Sequence, residues 1–196
     1  VRESSLLEGF PEYLVHEARA VEIRLFELGI VPGLLQTPEY AAATAAGEVR
    51  RGAITESQAQ ERLALLAGRQ ASLRRTPAPL IHVVMDESCV RRIVGGKDVM
   101  AAQLDQLLAF AELPSTVLQI APYDLGERRA FDLPINLLTL PDRSDLAYAE
   151  SSLQGRMERE ARFVRLKMTA YHQLQVEAMS QTASVAMIEE LRKGTP

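Results

Sequence analysis

The sequence predicts an α/β fold of the mixed α+β kind, a small, roughly four-stranded mixed sheet packed against several amphipathic helices. Three observations carry this prediction. First, residues 80–85 and 116–121 are short apolar, β-branched runs, and between them Met100, Leu104, Leu107, Leu108 and Ala111 form a helical stripe. A strand–helix–strand unit of this kind sets its two strands parallel. Second, the runs 133–140 and 146–150 are separated only by the turn Pro141-Asp142-Arg143-Ser144-Asp145, so they pair antiparallel. Third, apolar residues outside this block recur three and four apart, as in helices with one buried face.

In chain order, Leu14, Ala18, Val21, Leu25 and Leu28 alternate four and three apart. Residues 10–28 therefore read as one amphipathic helix, flanked by Glu17, Arg19, Glu22, Arg24 and Glu27 and stopped by Gly29. The connector Ile30-Val31-Pro32-Gly33-Leu34-Leu35-Gln36-Thr37-Pro38-Glu39-Tyr40 is the most specified stretch of the chain. Pro32 presets φ and Gly33 tolerates a positive one, so Val31-Pro32-Gly33-Leu34 reads as a type II turn. Thr37 is a good N-cap, and Pro38 suits the first helical position. Gln36 is a polar amide inside an apolar connector, which either locks two layers together or lines a cleft. An alanine-rich helix over residues 38–46 ends at Gly47. Thr55-Glu56-Ser57-Gln58 then has the form of a capping box, opening a helix that runs to about Leu73. Arg50, Arg51, Arg62, Arg69, Arg74 and Arg75 make this the most basic part of the chain, and a solvated helix face is the ordinary reading.

Thr76-Pro77-Ala78-Pro79 breaks that helix ahead of the first strand. His82, inside the strand, reads more naturally as a core residue than as a ligand. Asp86 is placed to cap a short helix that ends at Gly95-Gly96, and Pro114 closes the helix over residues 98–113. The loop 123–132 mixes Tyr123, Asp124, Arg128 and Arg129, a composition suited to a lid or a cleft edge. Two helices finish the chain. The first carries Met157, Ala161, Val164, Met168 and Tyr171; the second, capped by Ser180, carries Met187, Ile188 and Leu191. One domain is expected over 1–196, with a helical part at 1–75, a sheet-containing part at 76–155 and C-terminal helices at 156–196.

A chain of 196 residues that is 47% hydrophobic can bury a real core as one domain. Its net charge of −4 gives no global field that would gather nucleic acid or an anionic membrane. The single cysteine, Cys89, allows no internal disulfide and suits a reducing cytoplasm. No apolar run approaches the roughly 20 residues that span a bilayer. The opening Val1-Arg2-Glu3-Ser4-Ser5 does not look like a signal peptide, and it lacks an initiator Met, as expected of a piece cut from a longer chain.

Generic catalytic spacing is missing. Gly95-Gly96-Lys97 approaches a phosphate loop, but Arg91 stands where a glycine is required and Asp98 follows the lysine. His16, His82 and His172 stand far apart with one cysteine, so no zinc spacing exists and neither metal nor cofactor is expected. Asp86-Glu87 lies beside Arg91 and Arg92, cations that would hold the pair ionised rather than raise a pKa for acid catalysis. Glu150, ending a strand after Tyr148, is the other carboxylate placed to reach a cleft.

Taken together, these segments resemble a known family, the uncharacterised domain that follows a Cro/CI (xenobiotic-response-element) type helix-turn-helix module in actinobacterial regulators. The resemblance runs through Phe10-Pro11-Glu12-Tyr13, Glu17-Ala18, Val31-Pro32-Gly33-Leu34-Leu35-Gln36-Thr37 and Tyr40. It continues through Arg69-Gln70, Asp86-Glu87, Val90-Arg91-Arg92, Gly95-Gly96, Gln103-Leu104 and Leu118-Gln119-Ile120-Ala121-Pro122. Gly126, Tyr148 with Glu150, and Ala178-Met179-Ser180 complete it. Two departures stand out. The family usually has a His soon after the glycine matching Gly126 and a Phe opening the next strand, where this chain has Arg128 and Ile135. No tight helix-turn-helix is legible at the N-terminus.

The resemblance implies a cytoplasmic ligand-sensing, protein-contact or dimerisation domain of a transcription regulator, with no direct DNA reading by this chain and no membrane contact. Its partner would be a small molecule or a protein, a second copy included. The alternative is an enzyme of secondary metabolism, for instance a cyclase that works by orienting its substrate in a pocket, which needs no triad or metal. A purely structural interaction domain would show the same helix stripes. Strand ends and connecting loops are where α/β sheets place ligands, so Gln36, Tyr40, Asp86, Glu87, Arg91, Tyr123 and Glu150 are expected near a common cleft.

Overall fold

The computed structural model describes residues 9–150 and 155–194. The opening pentapeptide discussed above lies outside the described residues. Six strands form one mixed sheet in the order β3-β2-β1-β4-β5-β6. They are β1 (Glu22–Glu27), β2 (Leu80–Asp86), β3 (Thr116–Ala121), β4 (Ile135–Thr139), β5 (Asp145–Glu150) and β6 (Gly155–Glu158). The helices are α1 (Phe10–Glu17), α2 (Pro38–Arg50), α3 (Glu56–Ser72), α4 (Ser88–Arg91), α5 (Lys97–Ala111), α6 (Ala161–Glu177) and α7 (Gln181–Lys193). β1, β2 and β3 run parallel, while β4, β5 and β6 add antiparallel beside β1.

The fold is thus the expected mixed α+β class, with six strands where roughly four were expected. The C-terminal half of the helix read over residues 10–28 is β1, the third strand along the sheet. α1 stops at Glu17, and the chain turns through Ala18 to the buried Ala20 before entering the strand. The four-and-three spacing of Val21, Leu25 and Leu28 mimicked a helix. In the strand, Ile23 and Leu25 enter the core on one face and Phe26 that on the other. β1 is paired on both edges, by β2 and by β4, so contacts distant in sequence override its local pattern. β6 had no alternation to read: its four residues offer Met157 alone to the core. Strands therefore extend into both segments that had been read as helical, 1–75 and 156–196.

Helices cover both faces of the sheet. Tyr13 of α1, Tyr40 of α2, Met100, Leu104 and Leu107 of α5 and Ile188 of α7 pack on the face that carries Ile23, Leu25, Val83 and Leu118. α6 covers the other face, where Val164, Tyr171 and Leu174 meet Phe26, Val84 and Leu137. Burial of side chains this large supplies the main driving force for the layered arrangement.

The connector after β1 has the predicted cap and a different turn. The Thr37 hydroxyl accepts from the Tyr40 N–H at 3.2 Å, and Pro38 opens α2, which runs through Gly47 to Arg50. Pro32 has the φ of −52° and ψ of 137° of a type II turn, but Gly33 opens a short 3-10 turn, Gly33–Leu35, and does not adopt a positive φ. Glycine here leaves room for a close approach of α3 instead. A Cβ on Gly33 would lie 3.2 Å from Leu66 Cδ1 on α3. The capping box at Thr55 forms as read, with Gln58 Oε1 accepting from the Thr55 N–H at 2.9 Å. No helix among the described residues is long and apolar enough to cross a membrane.

Candidate functional site

A cavity of about 350 Å³ opens on the face of the sheet that α3 overlies. Its floor comes from β1, β4 and β5, through Leu25, Glu27, Asn136, Tyr148 and Glu150. Arg62, Leu65, Leu66 and Arg69 on α3 form the opposite wall, and the connector closes one side with Ile30, Pro32, Leu34 and Gln36. Phe10 of α1 completes an aromatic corner, its ring 5.8 Å from that of Tyr148, which in turn stacks on Tyr13 at 4.6 Å.

A polar network joins the α3 wall of the cavity to α1 and β4. Arg69 donates from Nε and Nη2 to the two carboxylate oxygens of the buried Glu17, each at 2.8 Å. The Tyr13 hydroxyl donates to Glu17 Oε2 at 2.6 Å and accepts from Asn136 Nδ2 at 3.1 Å. The guanidinium also sits 5.2 Å over the Phe10 ring. Burial works against the charge of Arg69, and its bonds to Glu17 outweigh that, leaving its pKa raised. Burial, reinforced by Glu17, pushes the Tyr13 phenol well above its ordinary range.

Three carboxylates at the cavity stand outside this network: Glu48, paired with Arg62, and Glu27 and Glu150, which form no ion pair among the described residues. Glu27 accepts the Leu28 N–H at 3.0 Å, and Glu150 accepts the Tyr148 hydroxyl at 2.9 Å. Burial, with a further push from Glu150, raises the Glu27 carboxyl to about 7, against a smaller opposing effect of the Leu28 N–H. Burial and the neighbouring Glu150 also raise the Tyr148 phenol.

Of the residues expected near one cleft, Gln36 and Glu150 line this cavity. Gln36 does so while its Nε2 donates to Val31 O at 2.8 Å, so the amide both locks the connector and borders the cavity. Tyr40 is fully buried behind the connector, its hydroxyl accepting the Val31 N–H at 3.1 Å. Asp86, Glu87, Arg91 and Tyr123 gather in a separate cluster at the ends of β2 and β3. There Asp86 accepts from the Ser88 N–H at 3.0 Å and from Arg129 Nη1 at 2.9 Å. Burial opposes its charge, but these bonds hold its carboxyl below the ordinary range. Glu87 pairs with Arg91 and accepts the Tyr123 N–H at 2.8 Å, while the Tyr123 ring is exposed. These partners account for the cluster as a clip that fastens α4 and the 3-10 segment Tyr123–Arg128 to the sheet. His82 is half-buried in β2 and does not line the cavity; burial is the main cause of its lowered pKa.

Sequence reasoning passed over Glu27, Asn136 and the Tyr13–Glu17–Arg69 network as site residues. A usable signal for Glu27 existed once β1 is read as a strand. Alternation puts Ile23, Leu25 and Glu27 on one face, so an acid occupies an apolar register position. Tyr13 and Glu17, four apart on α1, share a helix face in the same way.

The fold and its cavity define a mixed α+β domain with a recess of small-molecule size on one sheet face. The family described as "Domain of unknown function (DUF5753)" matches residues 10–190, and the chain belongs to it. No curated protein and no solved structure matches the chain.

Proposed function

We propose that this chain is the small-molecule-sensing domain of a transcription regulator. The carrying observation is the cavity: about 350 Å³, walled by Phe10, Ile30, Leu34 and Leu66, and floored by Leu25 and a few fixed polar groups. That size and lining suit a small ligand. The regulatory half of the reading is supported by the resemblance to domains that follow Cro/CI-type helix-turn-helix modules. DNA reading is assigned to another module, because the acidic charge of −4 offers no electrostatic footprint for the duplex.

One observation favours a second reading, an enzyme acting on the bound molecule. A carboxyl held at about 7, as Glu27 is, matches the working pH of a general acid or base. The two readings separate on whether a bound molecule is released unchanged.

Occupancy of the cavity is tested with prodan, a neutral naphthalene dye whose emission reports transfer from water to an apolar site. Leu66→Trp fills the cavity from α3 and should abolish the blue-shifted emission seen with the wild-type chain, while circular dichroism confirms the fold. Unchanged dye binding by a folded Leu66→Trp protein would overturn the reading.

A further inference from the structure

Every guanidinium at the cavity is already engaged with a carboxylate. Arg62 pairs with Glu48 at 2.7 Å, and Arg69 is held through two bonds by Glu17. Glu27 and Glu150 are different: among the described residues neither forms an ion pair with Lys, Arg or His. Each uses Oε1 for one neutral donor, the Leu28 N–H or the Tyr148 hydroxyl. Two carboxylates thus face the same recess beside its apolar residues, close enough that Glu150 perturbs Glu27. Once both are ionised, such an arrangement repels an anion and is relieved by a cation, which gains Coulomb energy from both carboxylates.

We infer that the cavity selects a small molecule carrying a protonated amine on an apolar body, the ammonium seated between Glu27 and Glu150. This rests on the cavity being the ligand site proposed above. The apolar body lies against Phe10, Leu25, Ile30 and Leu66. Tyr40 on α2 and Cys89 on α4 are the other titratable groups that feel the charge of Glu27. Burial keeps both in their neutral forms at physiological pH; the cation that feels Glu150 is Arg69 on α3, already held through two bonds by Glu17.

Three probes that share one naphthalene body test the inference: naphthylethylamine, naphthylethanol and naphthylacetate. Each is titrated calorimetrically into the whole 196-residue chain at about pH 8. The amine should bind at least about tenfold tighter than the alcohol, and the carboxylate more weakly still. Glu27→Gln and Glu150→Gln should each lose that preference, with circular dichroism showing that the variants are folded. Equal binding of amine and alcohol, or a preference for naphthylacetate, overturns the cation inference and leaves the ligand-site reading standing. Failure of all three to bind at millimolar concentration overturns both.

Discussion

Glu27 is the residue at which the local electrostatics of this molecule make their sharpest demand. Its carboxyl is held at about 7 by burial and by Glu150, above the 4.5 of a free glutamate. Over the interval between those two values the folded chain binds a proton that the unfolded chain does not. Stability therefore falls as pH rises through that interval, and it is highest where Glu27 is neutral. Partial solvent access reduces the full effect of the shift to about 1–3 kcal/mol between about pH 5 and about pH 8. Glu27→Gln retains an acceptor for the Leu28 N–H and removes the charge. Urea melts should show the variant matching the wild type at the acidic end and exceeding it by that amount at the basic end. A variant whose pH profile parallels that of the wild type would mean that the charge of Glu27 is not confined by the fold. Gln36 and Glu150 were legible at this scale because an amide in an apolar connector and an acid at a strand end are local anomalies. Glu27 was not legible, because on the flank of a supposed helix an acid is ordinary.

At the scale of elements, two glutamines from different helices hold the connector between β1 and α2. Gln103 of α5, fully buried, accepts the Thr37 N–H at 2.8 Å and donates to Leu35 O at 2.8 Å. Gln70 of α3 has its Nε2 2.9 Å from both Gly33 O and Gln36 O. The carbonyls of Gly33, Leu35 and Gln36 and the Thr37 N–H are thereby paired without a sheet or a long helix around them. Gln103→Met keeps the length and most of the volume but leaves one N–H and one carbonyl buried without partners. It should cost about 2–4 kcal/mol, read as a lowered midpoint in denaturant melts at unchanged slope. A loss below about 0.5 kcal/mol would show that the connector holds itself and that the two helices merely rest on it. The elements legible in the sequence are those with their own local signals: the parallel pair β2 and β3 around α5, the β4–β5 hairpin, the capping box of α3 and the Ser180 cap of α7. Those missed carry no local signal of their own. β1 exists because β2 and β4, both distant in sequence, flank it, while β6 pairs with the nearby β5 but is too short to show an alternation.

Across the whole molecule, the two faces of the sheet are filled differently, and that difference predicts how a bound ligand is felt. α6 lies directly on its face: the Tyr171 hydroxyl is 3.0 Å from Leu25 O and 2.9 Å from His82 O, in the same layer as Phe26 and Leu137. α3 instead meets β1, β4 and β5 across the cavity, held by the Arg69–Glu17 pair, by Gln70 and by α2. An element with fewer apolar contacts opens locally at lower free energy than one seated in the core. A ligand that touches both α3 and the sheet supplies the missing contacts and closes those local openings. At about 100 times its dissociation constant it stabilises the bound form by about 2.7 kcal/mol, which slows exchange through ligand-excluding openings by up to about 100-fold. Hydrogen exchange with saturating naphthylethylamine should therefore slow the amides of Glu56–Ser72 and of the connector first. The amides of Ala161–Glu177 should change only where they exchange through global unfolding. If α6 gains as much protection as α3, the molecule responds as one rigid unit, and the cavity is not the place where a ligand changes its shape.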